Sequence, residues 1–154
     1  MGRLIKNSNK LLYHGTESLD SAKKILKTMT LKGTKSSIPP MYSLSIESGL
    51  AEEFGPIVFC FTNLDKVVEV IYTEEWFKEH PKIADYVFCN GYDGGDPACM
   101  GAESEYVGIG DLKFTESQLV DIYISIGFGN NEDISKAWNE LNSINPNVKI
   151  RIPY

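Results

Sequence analysis

The sequence lacks the residues from which metal centres and disulfide frameworks are built. Its 154 residues include three cysteines (Cys60, Cys89 and Cys99) and two histidines, and no two cysteines form a CxxC pair. An odd number of cysteines without metal-ligand spacing argues against both a disulfide framework and a zinc site. We therefore expect reduced thiols in or near the core and no bound metal.

Long apolar runs are also missing. No stretch is long and apolar enough to span a bilayer, and the start, MGRLIKNSNK, has no apolar segment of the kind that a secretory signal needs. Lys6 stands where a myristoylation signal requires Ser or Thr. We expect a monomeric, cytoplasmic protein without a membrane partner, acting in the cell that produces it or in a target cell.

Positive charge is scarce outside the first quarter of the chain. Residues 1–40 carry eight Lys or Arg against two Asp or Glu, whereas the rest carries seven against nineteen. The acidic remainder disfavours non-specific nucleic-acid binding, and most N-terminal lysines are interpreted as the solvated face of a helix. The length, with 42% apolar and 23% charged residues, predicts one soluble domain over residues 1–154.

Strand-like segments dominate, and helices do not separate them regularly, which favours an α+β fold over a doubly wound sheet. The apolar run IVFCF is typical of a strand buried on both faces, and VKIRIPY alternates like a half-exposed strand. One helix is predicted between an N-cap at Ser18 and a stop at Gly33, and another over NEDISKAWNELN. Thr115 with Gln118 forms a capping box for a one-turn helix.

Three short segments carry the residues that suit chemistry. In GAESEYVG, Glu103 and Glu105 are two apart in a predicted strand, so both point to one face, towards a ligand or towards solvent. In LYHGT, His14 precedes Gly15, which allows close approach of a ligand to the backbone, although a histidine in this setting is more often structural.

The third segment is MYSLS. Its alternation puts Ser43 and Ser45 on one face and Tyr42 on the other. Hydroxyl groups at a strand end can bind a sugar or support a carboxylate, and they can equally be solvated serines of a strand edge.

The order and spacing of the three segments resemble the ADP-ribosyltransferase superfamily. The matching motifs are LYHGT in the first core strand, MYSLSIESGLAEEFG in the second, and GAESEYV after a loop, in order between Leu11 and Ile126. The resemblance implies an ADP-ribosyltransferase-like split β-sheet core of two packed, mostly antiparallel sheets with short flanking helices.

Two branches of that superfamily match different parts of the chain. His14, Tyr42 and Glu105 are similar to the His-Tyr-Glu triad of diphtheria-type toxins and poly-ADP-ribose polymerases. The SLS and ESE segments resemble the Ser-x-Ser and Glu-x-Glu of the Arg-Ser-Glu branch, although His14 stands where that branch has arginine. Phe54 is one residue away from the polymerases' second stacking tyrosine. We interpret the chain as a mixed His-type member, similar to small bacterial and phage transferase domains.

The resemblance implies a mono-ADP-ribosyltransferase that cleaves NAD at the nicotinamide–ribose bond and transfers ADP-ribose to an acceptor. Glu105, Tyr42 and His14 would be the catalytic residues, and Glu103 and Tyr92 would contact the acceptor. A protein acceptor is favoured over a nucleic acid. Tyr42 would stack on the nicotinamide ring, and the Gly15 backbone would bond its carboxamide. Ser43 or Ser45 would support Glu105. The residues implied to bind NAD, the co-substrate, are His14, Gly15, Thr16, Tyr42, Ser43, Ser45 and Phe54.

Three other functions use the same fold. A toxin-like NAD glycohydrolase would use the same residues with water as the acceptor. An RNA 2′-phosphotransferase is disfavoured because the other histidine, His80, lies in an acidic helical segment and no matching arginine precedes Gly15. A binding or interaction module without activity would be expected to have lost His14, Tyr42 or Glu105.

Overall fold

The computed structural model describes residues 3–5, 10–33, 40–64, 67–69 and 105–153. The helices in this part of the chain are α1 (Leu19–Thr28), α2 (Ser48–Phe54) and α3 (Asn131–Ile144). The strands are β1 (Arg3–Ile5), β2 (Leu12–Thr16), β3 (Thr30–Leu31), β4 (Met41–Ser45), β5 (Ile57–Phe61), β6 (Val67–Glu69), β7 (Glu105–Ile109), β8 (Leu112–Lys113), β9 (Leu119–Ile124) and β10 (Ile150–Arg151). Short 3₁₀ turns cover Glu116–Gln118 and Ile126–Phe128.

Eight of these strands form one sheet in the order β1-β6-β7-β4-β2-β5-β9-β10. Its neighbouring strands are antiparallel except for β9 and β10, which are parallel. Strands β3 and β8 form a separate antiparallel pair. The predicted α+β class, with mostly antiparallel strands, is therefore confirmed.

The core lies on one face of the eight-stranded sheet and reaches from β7 and β4 to β5 and β9. All five residues of β5 are buried, as the continuous apolar run predicted. Successive side chains of a strand point to opposite faces, so Ile57, Phe59 and Phe61 share one of them. They form the core cluster together with buried residues of α1 and α3. Helix α2 packs on β2 and β5.

Pairing between β2 and β4 stops almost as soon as it begins. Strand β2 pairs with β5 from Leu12 to Thr16, but it pairs with β4 only at Tyr13 opposite Ser45. Strand β4 then pairs with β7 along its whole length. The sheet consequently has two halves, β1-β6-β7-β4 and β2-β5-β9-β10, joined at one residue pair. This interruption agrees with the split β-sheet core that the resemblance implies, although both halves belong to one sheet.

Helix α1 begins as predicted and ends earlier than predicted. The Ser18 hydroxyl accepts a hydrogen bond from the Ser21 amide at 3.1 Å, which caps the first turn. The helix ends at Thr28, with Met29 in the left-handed conformation (φ 50°) as its C-cap. The predicted end at Gly33 was wrong, because residues 30 and 31 leave the helix to pair with β8.

Helix α3 and the segment after it close the other end of the core. Asn130 and Asp133 form a reciprocal capping box at the start of the helix. The Trp138 indole N–H donates to the Ile150 carbonyl at 3.3 Å, which ties α3 to β10. The strand predicted over VKIRIPY is present only as Ile150–Arg151. The predicted capping box of Thr115 and Gln118 is also present.

Helix α2 packs on β2 so closely that two glycines are required. A β-carbon added to Gly15 would overlap the Ala51 carbonyl of α2, and one added to Gly55 would overlap the backbone of Thr16. Gly15 and Gly55 thus allow backbone-to-backbone contact between the end of α2 and the end of β2. This contact holds α2 beside the split.

Several sequence predictions lie outside the described residues. They concern the acidic helical segment that contains His80, the acceptor residues Tyr92 and Glu103, and the state of Cys89 and Cys99. Cys60 is a buried free thiol. None of the described helices is long and apolar enough to cross a membrane. The single domain over residues 1–154 stays a prediction.

We expect Gly15→Ala to lower the free energy of unfolding by about 1–3 kcal/mol, because the methyl group has no room between β2 and α2. Gly49→Ala is the matched control on α2. A β-carbon at Gly49 meets nothing within 4 Å, so this change should raise stability by about 0.5–1 kcal/mol through helix propensity. Denaturant unfolding of the two variants measures both changes, and equal stabilities would contradict the close packing at Gly15.

Candidate functional site

The three motifs singled out in the sequence lie on three neighbouring strands. LYHGT forms β2, MYSLS forms β4, and Glu105 begins β7, in the sheet order β7-β4-β2. Tyr13 lies opposite Ser45, and Ser45 lies opposite Glu105. The candidate site is therefore the split between β2 and β4 together with the first residue of β7.

His14 bridges the two halves of the sheet where backbone pairing has stopped. Its Nδ1 lies 3.2 Å from the Ser43 carbonyl oxygen. A carbonyl oxygen can only accept, so Nδ1–H must donate. Burial lowers the pKa of His14 below its usual value of 6.5, although the bond to Ser43 acts in the opposite direction. In the neutral ring, Nε2 is then a hydrogen-bond acceptor, suited to a hydroxyl donor.

Gly15 and Thr16 follow His14 at the end of β2. The contact of Gly15 with α2 gives this glycine a structural role, and its predicted bond to a carboxamide stays a prediction. Thr16 lies two residues after His14, so both side chains share a face of β2. Thr16 is 5% exposed, and its Oγ1 has no hydrogen-bond partner among the described residues.

Tyr42 lies in the interior. Its side chain is 5% exposed, belongs to the core cluster, and covers Gly108 of β7 so closely that a β-carbon there would overlap its ring. Burial raises the pKa of the Tyr42 hydroxyl above its usual value of 10.0. The predicted stacking of Tyr42 on nicotinamide stays a prediction, and in this conformation the ring has almost no exposed surface.

Ser45 is committed to the turn that precedes α2. Its hydroxyl donates to the Glu47 carbonyl and accepts from the Glu47 amide, both at 3.1 Å. A hydroxyl has one hydrogen to donate, and here Glu47 receives it. Ser43 is half-buried, and its carbonyl accepts the bond from His14. The predicted support of Glu105 by Ser43 or Ser45 stays a prediction.

Phe54 lies at the end of α2. Phe54 is 54% exposed at the last position of α2, next to the contact of Gly55 with Thr16. It is thus beside the end of β2, away from the pair of Ser45 and Glu105. Glu103 and Tyr92, predicted to contact the acceptor, lie outside the described residues.

A row of polar residues that the sequence analysis did not single out crosses the sheet at the same level as Glu105. Consecutive partners across β7, β4, β2, β5 and β9 form this transverse row: Glu105, Ser45, Tyr13, Cys60 and Asp121. Opposite residues of antiparallel strands share a face, so the side chains of Tyr13, Cys60 and Asp121 lie together. Strand alternation indicates that Tyr13 and His14 point to opposite faces, but only the strand order reveals the row.

Arg151 binds Asp121, the residue at the far end of the transverse row. Its Nε donates to Oδ2 of Asp121 at 2.8 Å, and its guanidinium lies 5.2 Å from the ring centre of Tyr123. The other carboxylate oxygen, Oδ1 of Asp121, is buried without a partner among the described residues. The ion pair thus fixes a buried carboxylate behind Cys60.

Tyr13 and Cys60 share a hydrogen bond and are neutral near pH 7. Burial raises the pKa of the Cys60 thiol to about 11, and the negative charge of Asp121 acts in the same direction. Burial likewise raises the pKa of Tyr13, with further contributions from Cys60 and Asp121. A thiol with so high a pKa is a poor nucleophile, so this pair is suited to holding a ring in place and not to covalent chemistry.

No family model and no curated protein matches this chain. Among solved structures, the chain is similar to Thermus sp. 2.9 DarT in complex with carba-NAD+, with 11% sequence identity and a TM-score of 0.48. The match covers 94% of this chain and 96% of that chain. At this TM-score the likeness establishes neither family nor activity.

The lowered pKa of His14 predicts acid sensitivity. Below pH 6.5 an unfolded chain protonates this histidine while the folded protein resists protonation, so stability should fall as pH drops from 6.5 towards the lowered pKa. In His14→Gln this part of the pH dependence disappears. Thermal unfolding between pH 5 and pH 8 measures it, and His80→Gln is the control for histidine loss. Parallel curves for wild type and His14→Gln would contradict a neutral buried His14.

Proposed function

We propose that the protein is an NAD-dependent mono-ADP-ribosyltransferase that transfers ADP-ribose to a protein acceptor. The observation that carries the proposal is the convergence of the three motif strands, β2, β4 and β7, at the split in the sheet. Each of these strands carries one residue of the His-Tyr-Glu pattern that the sequence resembles. A protein with this fold but without the activity would not need all three residues of the pattern.

One group at the end of β2 fits a hydroxylated ligand. The neutral His14 ring offers Nε2 as an acceptor for a ribose hydroxyl group. The Thr16 hydroxyl is buried, so, like the Tyr42 ring, it has almost no surface for a ligand in this conformation. In the proposal, His14 orients the ribose of NAD, and the backbone of Gly15 bonds the carboxamide.

The chemistry that NAD supplies is a glycosidic bond to a cationic pyridine ring, which leaves as neutral nicotinamide. Glu105, the first residue of β7, would stabilise with its carboxylate the positive charge that develops on the ribose. This stabilisation acts on the transition state more strongly than on the ground state, because the charge is absent before the bond stretches. The acceptor's nucleophile then bonds to the ribose carbon and loses its proton.

Glu105→Gln tests the reaction. We expect it to lower nicotinamide release from NAD by a hundredfold or more, because the amide keeps the shape of the side chain and loses its charge. Glu132→Gln, an exposed change on α3, is the control and should retain wild-type release. Equal rates for wild type and Glu105→Gln would remove Glu105 from the mechanism. If wild type releases no nicotinamide even with lysate proteins as acceptors, the enzyme proposal is contradicted and a binding module is favoured.

Glu103→Gln separates transfer from hydrolysis. If Glu103 contacts the acceptor, the variant should lose transfer of labelled ADP-ribose to lysate proteins more strongly than it loses nicotinamide release in buffer. Mass spectrometry of labelled products measures the first rate, and nicotinamide release measures the second. Equal losses of both rates would remove the acceptor role, and release without any labelled macromolecule would favour the NAD glycohydrolase.

The proposal also includes the oligomeric state and the cellular location of the protein. We expect the protein to work as a monomer in the cytoplasm of the producing cell or of a target cell. Labelling of proteins and of nucleic acids in the same lysate would decide between the two classes of acceptor.

A further inference from the structure

The proposed reaction requires an aromatic surface for the flat nicotinamide ring, and Tyr42 does not offer one in this structure. Tyr42 is 5% exposed, and Tyr106, the residue after Glu105, is fully buried. Phe54 is exposed but lies at the end of α2, beside the end of β2. These three rings therefore leave the surface around the transverse row without an aromatic contribution.

Tyr13 occupies the required position. It is half-buried in β2, directly opposite Ser45, which is directly opposite Glu105. Two strand spacings separate the backbones of Tyr13 and Glu105, which is on the order of 10 Å. The nicotinamide ring and its ribose are of this size, so a ligand whose ribose meets Glu105 brings its ring within reach of Tyr13.

Two neighbours of Tyr13 on its own face of the sheet are defined by the structure. Two residues further along the same face of β2, Gly15 is covered by α2. Towards β5, the Tyr13 hydroxyl is hydrogen-bonded to Cys60, which is 3% exposed. Tyr13 thus packs between α2 and β5, and part of its side chain stays exposed.

The Tyr13 ring is also held in place before any ligand arrives. Its hydroxyl is tied to Cys60, Cys60 lies opposite Asp121, and the Asp121 carboxylate is bound by Arg151 at 2.8 Å. A ring restrained in this way loses little conformational entropy when a ligand stacks on it. The contacts from Arg151 through Asp121 and Cys60 thus restrain the Tyr13 ring.

We propose that Tyr13 provides the aromatic surface on which the nicotinamide ring of NAD stacks, a role assigned above to Tyr42. This inference rests on the proposed NAD cleavage and adds a ligand-binding residue to it. Tyr13 belongs to LYHGT, and its side chain lies on the face of β2 that the transverse row occupies, opposite to the side chain of His14.

Tyr13→Leu and Tyr13→Phe test the stacking. The leucine variant removes the aromatic face and keeps an apolar side chain of moderate size, whereas the phenylalanine variant keeps the face and loses only the bond to Cys60. We expect Tyr13→Leu to raise the KM for NAD and the inhibition constant of nicotinamide about two- to tenfold. Tyr13→Phe should show the smaller increase in both constants.

Tyr123→Leu is the matched control. Tyr123 is another half-buried tyrosine on the same face, in β9, where it lies beneath Arg151 and away from Glu105. We expect this variant to keep the wild-type KM for NAD and the wild-type inhibition constant. Thermal unfolding of all three variants separates lost affinity from lost folding. If Tyr13→Leu folds and keeps both constants, or if Tyr123→Leu raises them equally, the stacking role of Tyr13 is overturned.

Direct binding of nicotinamide separates this inference from the proposed reaction. Saturation-transfer NMR with free nicotinamide detects ring contact without any turnover. Loss of the signal in Tyr13→Leu and its retention in Tyr123→Leu would support the stacking. This conclusion would hold even if wild type released no nicotinamide from NAD, because that result would contradict the reaction and not the stacking. Release by wild type with an unchanged nicotinamide signal in folded Tyr13→Leu would uphold the reaction and overturn the stacking.

Discussion

The interruption of pairing between β2 and β4 is the constraint on which the rest of the site depends. Backbone groups at a strand edge must find partners or water, and beyond Tyr13 the edge of β2 is no longer paired with β4. The His14 ring bonds the Ser43 carbonyl across the gap, and α2 covers the end of β2 through Gly15 and Gly55. The split is thus held open by specific contacts.

These contacts also determine which chemical groups are presented. Because the Ser43 carbonyl takes the Nδ1 proton and burial keeps the ring neutral, Nε2 of His14 is left as an acceptor. A protonated histidine would instead present donors on both nitrogens and repel a cationic pyridine ring. The same burial that disfavours charge on His14 keeps Tyr13 and Cys60 in their neutral forms. His14 and Tyr13 of β2 are therefore uncharged near pH 7, and Glu105 is the charged residue of the proposed set.

Local features of the structure were predictable where neighbouring residues decide them. Ser18 caps α1, Thr115 and Gln118 form their capping box, and the apolar run of β5 is fully buried. Gly33 shows the limit of such reasoning. A glycine is a good helix terminator, yet α1 ends at Thr28 because residues 30 and 31 pair with β8 from a distant part of the chain. Met29 accepts the left-handed conformation that this early ending requires.

The sequence by itself determined the α+β class, the order of the three motif strands along the chain and the alternation of side chains within each strand. Only the tertiary structure decided which of the two alternating sets of side chains in each strand is buried, because burial depends on what packs against each face of the sheet. It buried Tyr42 over Gly108, left Tyr13 half-exposed, and aligned Tyr13 with Cys60, Asp121 and Ser45 through a register between strands far apart in sequence. Strand register is a long-range property, so no local pattern could reveal that Tyr13 lies in one row with Glu105.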